Sequence, residues 1–203
     1  ISKNLSNKIL NELNLPSKEQ SLVDIHIPKN NIDFIRAQKR LKFEEFFFLQ
    51  LYLLKLKLIR IKKLKGYPFP SIGCNFNDFY NNHLPFELTK AQKRVLKEIR
   101  KDVQGSAQMN RLLQGDVGSG KTLVAFLSML MAVDNGFQTC IMAPTEILAQ
   151  QHMESMSIYT EHMNLSVEIL TGSSKSKERK VIHENLENGK INILIGTHAL
   201  LED

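Results

Sequence analysis

Residues 114–122, QGDVGSGKT, have the composition and spacing of a phosphate-binding loop. Gly115, four further residues and then Gly120, Lys121 and Thr122 fit the P-loop pattern G-x-x-x-x-G-K-[ST]. Glycines at 115, 118 and 120 permit a tight turn that aims several backbone N–H groups at one phosphate. Lys121 is expected to bring positive charge to the outer phosphates of a nucleotide, and Thr122 to offer its hydroxyl to Mg²⁺.

The flanking sequence places this loop between a strand and a helix. The pattern predicts a short strand over 109–113 and an apolar helix over 121–135, so that the phosphates lie at the helix N-terminus. A Gly-rich turn without a ligand is the alternative, and the strand–loop–helix context disfavours it. The predicted nucleotide-binding residues of the loop are Gly115, Asp116, Val117, Gly118, Ser119, Gly120, Lys121 and Thr122.

Positive charge is concentrated in the first third of the chain. The 203 residues carry a net charge of +6, but residues 1–66 hold 14 Lys and Arg against 6 Asp and Glu, and residues 67–203 hold 13 against 15. A basic arm suits nucleic acid, and a solvated Lys-rich helix fits the charge equally well.

Cysteine usage and hydropathy indicate a cytoplasmic protein. Cys74 and Cys140 lie far apart, without the spacing of a zinc site or a disulfide framework. We find no signal-peptide pattern, and the most apolar run, 46–54, is far shorter than the roughly 20 residues that a membrane span needs. We therefore expect a cytoplasmic location and no membrane partner.

Three segments follow from the periodicity. Residues 1–66 are expected to form a helical arm with a long basic helix over about 31–65, capped by Asn30 or Asn31 and ended by Gly66. Its apolar side chains, among them Phe46, Leu51 and Leu54, predict that the helix packs across another domain, for which the P-loop domain is the nearest candidate. Residues 67–85, rich in Pro and Gly, are expected to be a connecting linker, and 86–203 an α/β domain.

Strands and helices alternate in the third segment. A helix is predicted over 89–101 with Thr89 as N-cap, then strands over 139–142, 167–170 and 192–195, with helices over 146–159 and 176–188 between them. With the P-loop pair this makes four strand–helix steps, which predicts a parallel sheet with helices on both faces.

The carboxyl ends of the predicted strands collect small polar residues. Ligands of such sheets bind at this edge, which makes Thr145, Thr171, Gly172, Thr197 and His198 candidates. Each has an ordinary structural explanation when taken alone, such as an N-cap for Thr145, and their shared position is the argument for a site.

Five stretches together resemble the first motor domain of the RecG family, superfamily-2 DNA translocases of bacteria. They are LPFELTKAQ, MNRLLQGDVGSGKT, MAPTEILAQQH, LTGS and IGTHALL, and the upstream IHIP and RLKFEEFFFLQL resemble the segment between that family's wedge and motor. The resemblance covers roughly 21–203 and is most specific over 84–152. Transcription-repair coupling translocases share several of these elements and are the second possibility.

The resemblance implies a RecA-like fold, ATP with Mg²⁺ as ligands, and branched DNA as partner. Gln92, with Thr89 and Phe86, matches the region that recognises adenine, while the alternative for Gln92 is a solvent-facing helix residue. The positions that match motifs gripping the backbone of one DNA strand are Thr145, Thr171, Gly172, Thr197 and His198, with Glu146 and Gln151 as weaker matches.

The same resemblance implies that further parts complete the machine. The family places its motif II carboxylates shortly after GTHAL and uses a wedge and a second motor domain with an arginine finger. We therefore expect an ATP-dependent helicase of recombination and repair, of which this chain is a fragment that hydrolyses ATP poorly alone. A P-loop module that binds nucleotide without motor activity is the alternative from another class.

Overall fold

The computed structural model describes residues 5–201. The chain divides into two compact units, with the division between Leu64 and Lys65. The first unit contains three helices, α1 (Asn7–Glu12), α2 (Lys18–His26) and α3 (Asn31–Lys63). Ser6, Ser17 and Asn30 cap their N-termini through side-chain oxygens, as short polar side chains do at this position. The long helix agrees with the sequence prediction, and of the two candidate caps, Asn30 and Asn31, Asn30 is the one that caps it.

A buried ion-pair cluster fixes the first half of α3 on α2. Arg40 is fully buried and pairs with Glu44 at 2.5 Å, and Lys18 at the start of α2 pairs with the same carboxylate at 2.6 Å. Burial raises the pKa of Glu44, but the hydrogen bonds and charges of Lys18 and Arg40 outweigh it and hold that pKa below its usual range. The packing of α3 on α2 therefore favours the charged form of Glu44.

The second half of α3 exposes its apolar side chains. Phe46, Leu51 and Leu54 are 62, 51 and 54 % exposed. The expected burial of these side chains is therefore not found within residues 5–201. Within residues 5–201 there is also no helix with the length and apolar character of a membrane span.

A three-stranded parallel sheet forms the centre of the second unit. Its strands are β1 (Thr139–Met142), β2 (Val167–Leu170) and β3 (Ile193–Gly196), in the order β1-β3-β2. The helices of this unit are α4 (Cys74–Asp78), α5 (Lys90–Val103), α6 (Lys121–Val133), α7 (Glu146–Thr160) and α8 (Ser176–Glu187). This is the predicted mixed α/β, RecA-like architecture.

Helices cover both faces of the sheet, as predicted. Ile193 and Ile195 of β3 belong to the main core with α5, α6 and α7, whereas Leu194 belongs to a second core with Ile182 of α8. Successive strand residues point to opposite faces, so the alternation along β3 separates the two cores.

The strand predicted over 109–113, the first of the four, is absent from the sheet. This segment is extended but pairs with none of the three described strands; nearby, Lys65 and Ala107 form an isolated antiparallel bridge. Leu112 is 82 % exposed, although Leu113 contacts the core. A strand is stabilised by backbone hydrogen bonds to a neighbouring strand, and this segment forms no such bonds with β1, β2 or β3.

The predicted linker 67–85 contains ordered structure. Helix α4 is followed by a π-helical turn, Phe79–His83, and Phe76 and Phe79 are buried in the core. Asp134, at the C-terminus of α6, organises this segment. Its carboxylate accepts hydrogen bonds from the backbone N–H of Gly73 (2.9 Å), Asn75 (3.1 Å) and Phe76 (3.0 Å), and from the Asn75 amide (2.8 Å).

We expect Asp134→Asn to lower the free energy of unfolding by about 3 kcal/mol. In the wild type both carboxylate oxygens accept hydrogen bonds from N–H groups. The asparagine amide replaces one of these oxygens with an NH₂ group, which cannot accept them, and it removes the charge that strengthens the remaining bonds. Urea unfolding of the purified chain measures the change. Asp78→Asn, at an exposed position of α4 where the carboxylate accepts one hydrogen bond from the Asn82 amide and lies 3.5 Å from His83, is the matched control and should shift the midpoint less. Equal shifts for the two variants would contradict this role of Asp134.

Candidate functional site

The P-loop wraps the N-terminus of α6. Gly118 and Gly120 adopt φ values of +78° and +76°, which side-chain-bearing residues rarely tolerate. Gly120 is the N-cap and supplies no side-chain cap, so the first N–H groups of α6 remain directed at the loop. Backbone donors and the positive end of the helix dipole therefore meet where the sequence predicted phosphate binding.

Lys121 lies inside this loop. Its Nζ donates to the carbonyl oxygens of Gly115 (2.8 Å) and Asp116 (2.7 Å). These carbonyls orient the ammonium group within the turn that the glycines form. The loop thus presents N–H donors and one cation on an exposed surface, which is an arrangement that fits a polyphosphate.

The predicted adenine-recognition residues lie beside the P-loop. Thr89 and Gln92 form a capping box at the start of α5, in which Gln92 Oε1 accepts from the Thr89 N–H at 2.8 Å. Gln92 Nε2 donates to the Ser119 carbonyl at 2.9 Å, and Gln92 is only 8 % exposed. Phe86 is half exposed near Gly120. Both polar atoms of the Gln92 amide are therefore engaged, Oε1 by the N-cap of α5 and Nε2 by the P-loop, and Gln92 is not solvent-facing.

The carboxyl ends of the three strands lie at one level of the sheet. Met142 of β1 and Leu170 of β2 both pair with Gly196 of β3. The loops that follow enclose a cleft of about 270 Å³, lined by Pro144, Thr145, Glu146, Gly172, Thr197, His198 and Ala199. Five predicted DNA-site residues are thus brought together from three separate loops. The lining contains no Lys or Arg, so an anion here would meet hydroxyl and backbone donors beside the Glu146 carboxylate and the His198 ring.

Two predicted residues do not line this cleft. Gln151 is exposed one turn further along α7. Thr171 is 8 % exposed, and its hydroxyl lies 2.9 Å from the Ser173 hydroxyl within the turn after β2. The Thr171 side chain therefore serves the turn rather than the cleft.

Sequence reasoning missed two partners in these sites. The Ser119 carbonyl accepts a hydrogen bond from Gln92 Nε2, and the Ser173 N–H donates to Glu146 Oε1 at 3.0 Å. Both pairs are 27 residues apart in sequence and involve backbone atoms. No side-chain pattern signals such contacts.

Comparison with known proteins agrees with this geometry. The family described as DEAD/DEAH box helicase matches residues 89–203. The chain is 39 % identical over its whole length to the ATP-dependent DNA helicase RecG of Synechocystis sp., of which it covers 24 %. It is 41 % identical to RecG of Streptococcus pneumoniae, with 100 % of this chain and 30 % of the relative covered.

A solved structure shows the same similarity in three dimensions. The structure of RecG bound to a three-way DNA junction is 40 % identical in sequence and superposes with a TM-score of 0.86, covering all of this chain and 28 % of that one. The chain therefore spans less than a third of the length of these relatives.

Proposed function

The chain belongs to the DEAD/DEAH box helicase family, and on that premise we propose that it is the ATP-binding part of a RecG-type motor that remodels branched DNA. The observation that carries this proposal is the similarity, over the whole chain, to RecG bound to a three-way junction. The complete gene product is proposed to couple ATP hydrolysis to movement along DNA in recombination and repair. A transcription-repair coupling translocase remains the second candidate of the same class, since it shares the P-loop and the PT and GTH elements.

ATP binding supports this function through the P-loop. The N–H groups at the start of α6 hold the phosphates, and the Lys121 ammonium exchanges the Gly115 and Asp116 carbonyls for β- and γ-phosphate oxygens. Thr122, the second residue of α6, is the proposed Mg²⁺ ligand; the ion neutralises charge on the outer phosphates when bound. This chemistry positions the phosphates and spreads their charge.

Adenine recognition is proposed to involve Gln92. An amide side chain has one donor and one acceptor, which match the N7 acceptor and N6 donor of adenine. The Gln92 amide is hydrogen-bonded to the Thr89 N–H and the Ser119 carbonyl in this structure. To bind adenine, it must therefore give up at least one of these hydrogen bonds. Nucleotide binding and the shape of the P-loop are thereby linked through one side chain.

The strand-end cleft is the proposed place of the DNA backbone. Thr145, Gly172 and Thr197 offer hydroxyl and backbone donors to phosphates without reading bases. Such contacts suit a motor that must move along any sequence.

The test is ATP hydrolysis by the complete gene product with no DNA, linear duplex and forked DNA. We expect forked DNA to stimulate turnover most, because the proposed substrate is a junction. Residues 1–203 alone are expected to bind ATP weakly and to show little stimulation, since an arginine finger contributes about 10³–10⁵ in rate in related P-loop enzymes. An ATP turnover that is the same with and without DNA would instead support a nucleotide-binding module without motor activity.

A further inference from the structure

We propose that Glu146 is a positioning residue that joins two DNA-facing loops, and that it is not itself a phosphate contact. This inference rests on the proposed function, because it assigns a role within the proposed DNA cleft. The carboxylate accepts the Ser173 N–H at 3.0 Å and so connects the start of α7 to the turn after β2.

The turn after β2 is already ordered by its own hydrogen bonds. The Thr171 N–H donates to Ser174 Oγ (3.0 Å), the Ser174 N–H donates to the Thr171 carbonyl (3.2 Å), and the Thr171 and Ser173 hydroxyls are 2.9 Å apart. The turn is therefore ordered internally, and the bond to Glu146 links it to α7.

Glu146 is anchored at its own end as well. It is the first residue of α7, after the N-cap Thr145, whose hydroxyl accepts from the Leu148 N–H at 3.3 Å. A carboxylate at this position is stabilised by the helix dipole, so its charge is compensated without a basic partner.

The carboxylate also lies against the backbone of Gly172. A Cβ atom at this glycine would stand 3.2 Å from Glu146 Oε1. Glu146 lines both the strand-end cleft and an adjoining hollow of about 440 Å³ that Thr171, Ser173 and Glu178 also line. It thus forms the wall between the two.

This geometry argues against direct phosphate binding by Glu146. A carboxylate repels a phosphate, and it occupies the Ser173 N–H that would otherwise be a donor. Its contribution is to hold Thr145 and Gly172 at a set separation before DNA arrives. Binding that needs no loop ordering loses less entropy and is tighter.

The experiment compares Glu146→Ala with Glu146→Gln in the complete gene product. Glutamine keeps a side-chain oxygen for the Ser173 N–H but removes the charge, whereas alanine removes both. Glu154→Ala, exposed on the same helix, is the matched control. The measurements are the forked-DNA concentration at half-maximal ATPase stimulation, the turnover at saturating DNA, and amide hydrogen exchange of residues 171–175.

We expect Glu146→Ala to raise the half-maximal DNA concentration about tenfold, as for loss of one ordinary hydrogen bond, and to leave saturated turnover within about twofold. Exchange at Ser173 should accelerate in the alanine variant alone. Glu146→Gln and Glu154→Ala should match the wild type, with the glutamine variant equal or slightly tighter.

Other patterns overturn the proposal. Tighter DNA binding by both Glu146 variants would show that the carboxylate only repels phosphate. Weak binding by the glutamine variant would show that the charge, and not the acceptor, matters. Unchanged Ser173 exchange in Glu146→Ala would remove the connection itself. If DNA does not stimulate the wild type, the proposed function fails, and hydrogen exchange still decides separately whether Glu146 joins the loops.

Discussion

Replacing Lys121 with alanine is expected to reduce DNA-stimulated ATP hydrolysis by at least about a hundredfold, the scale seen when a charge-stabilising group is removed from an enzyme. The ammonium group lies within the P-loop, 2.8 and 2.7 Å from two loop carbonyls. Without it no cation of the loop compensates the charge that develops on the outer phosphates.

The strand-end cleft does not include Lys121, so DNA binding should persist in this variant. Turnover is measured with forked DNA in the complete gene product, and DNA binding by fluorescence anisotropy. Lys101→Ala, at an exposed position of α5, is the control for loss of a positive charge. Hydrolysis by Lys121→Ala within a few-fold of the wild type would refute the P-loop assignment.

Gly196→Ala is expected to lower the free energy of unfolding by at least about 3 kcal/mol, the upper end of the usual cost of overpacking. Gly196 is the last residue of β3 and pairs with both neighbouring strands. A Cβ atom there would overlap the Leu170 carbonyl oxygen and would stand 2.8 Å from the Leu200 side chain. The Leu170 carbonyl belongs to the backbone of the sheet and cannot rotate away.

Gly172→Ala is the matched control, because it lies in another strand-end loop and its Cβ would meet only the end of the flexible Glu146 side chain. Thermal unfolding of both variants gives the comparison. We also expect Gly196→Ala to weaken DNA binding, since the end of β3 places Thr197 in the cleft. Equal stability of the two variants would contradict the close approach at Gly196.

Much of the second unit was predictable because its signals are local. The limits of β1 and β2 agree with the apolar runs at 139–142 and 167–170, and Thr89 and Thr145 cap α5 and α7 as their positions in the sequence indicate. A helix cap depends on atoms within three or four residues, and a strand is indicated by the β-branched and apolar residues of its own short segment.

Sequence signals are weakest in segments whose state depends on distant partners. The segment 109–113 has a strand-like composition but pairs with none of the described strands of the sheet. The Pro- and Gly-rich segment 67–85 reads as a linker, yet the Asp134 carboxylate, about 60 residues away, caps α4 within it.

The sequence by itself determined the P-loop, the order of helices and strands from α6 to β3, and which residues stand at the strand ends. Only the tertiary structure decided what those residues do there: that Gln92 holds the Ser119 carbonyl, that the Thr171 hydroxyl closes its own turn, and that Glu146 receives the Ser173 N–H. The physical reason is that side-chain type limits the chemistry a residue can do, whereas its partner is set by three-dimensional proximity. In two of these three contacts the partner is a backbone atom, which every residue possesses and no motif can specify.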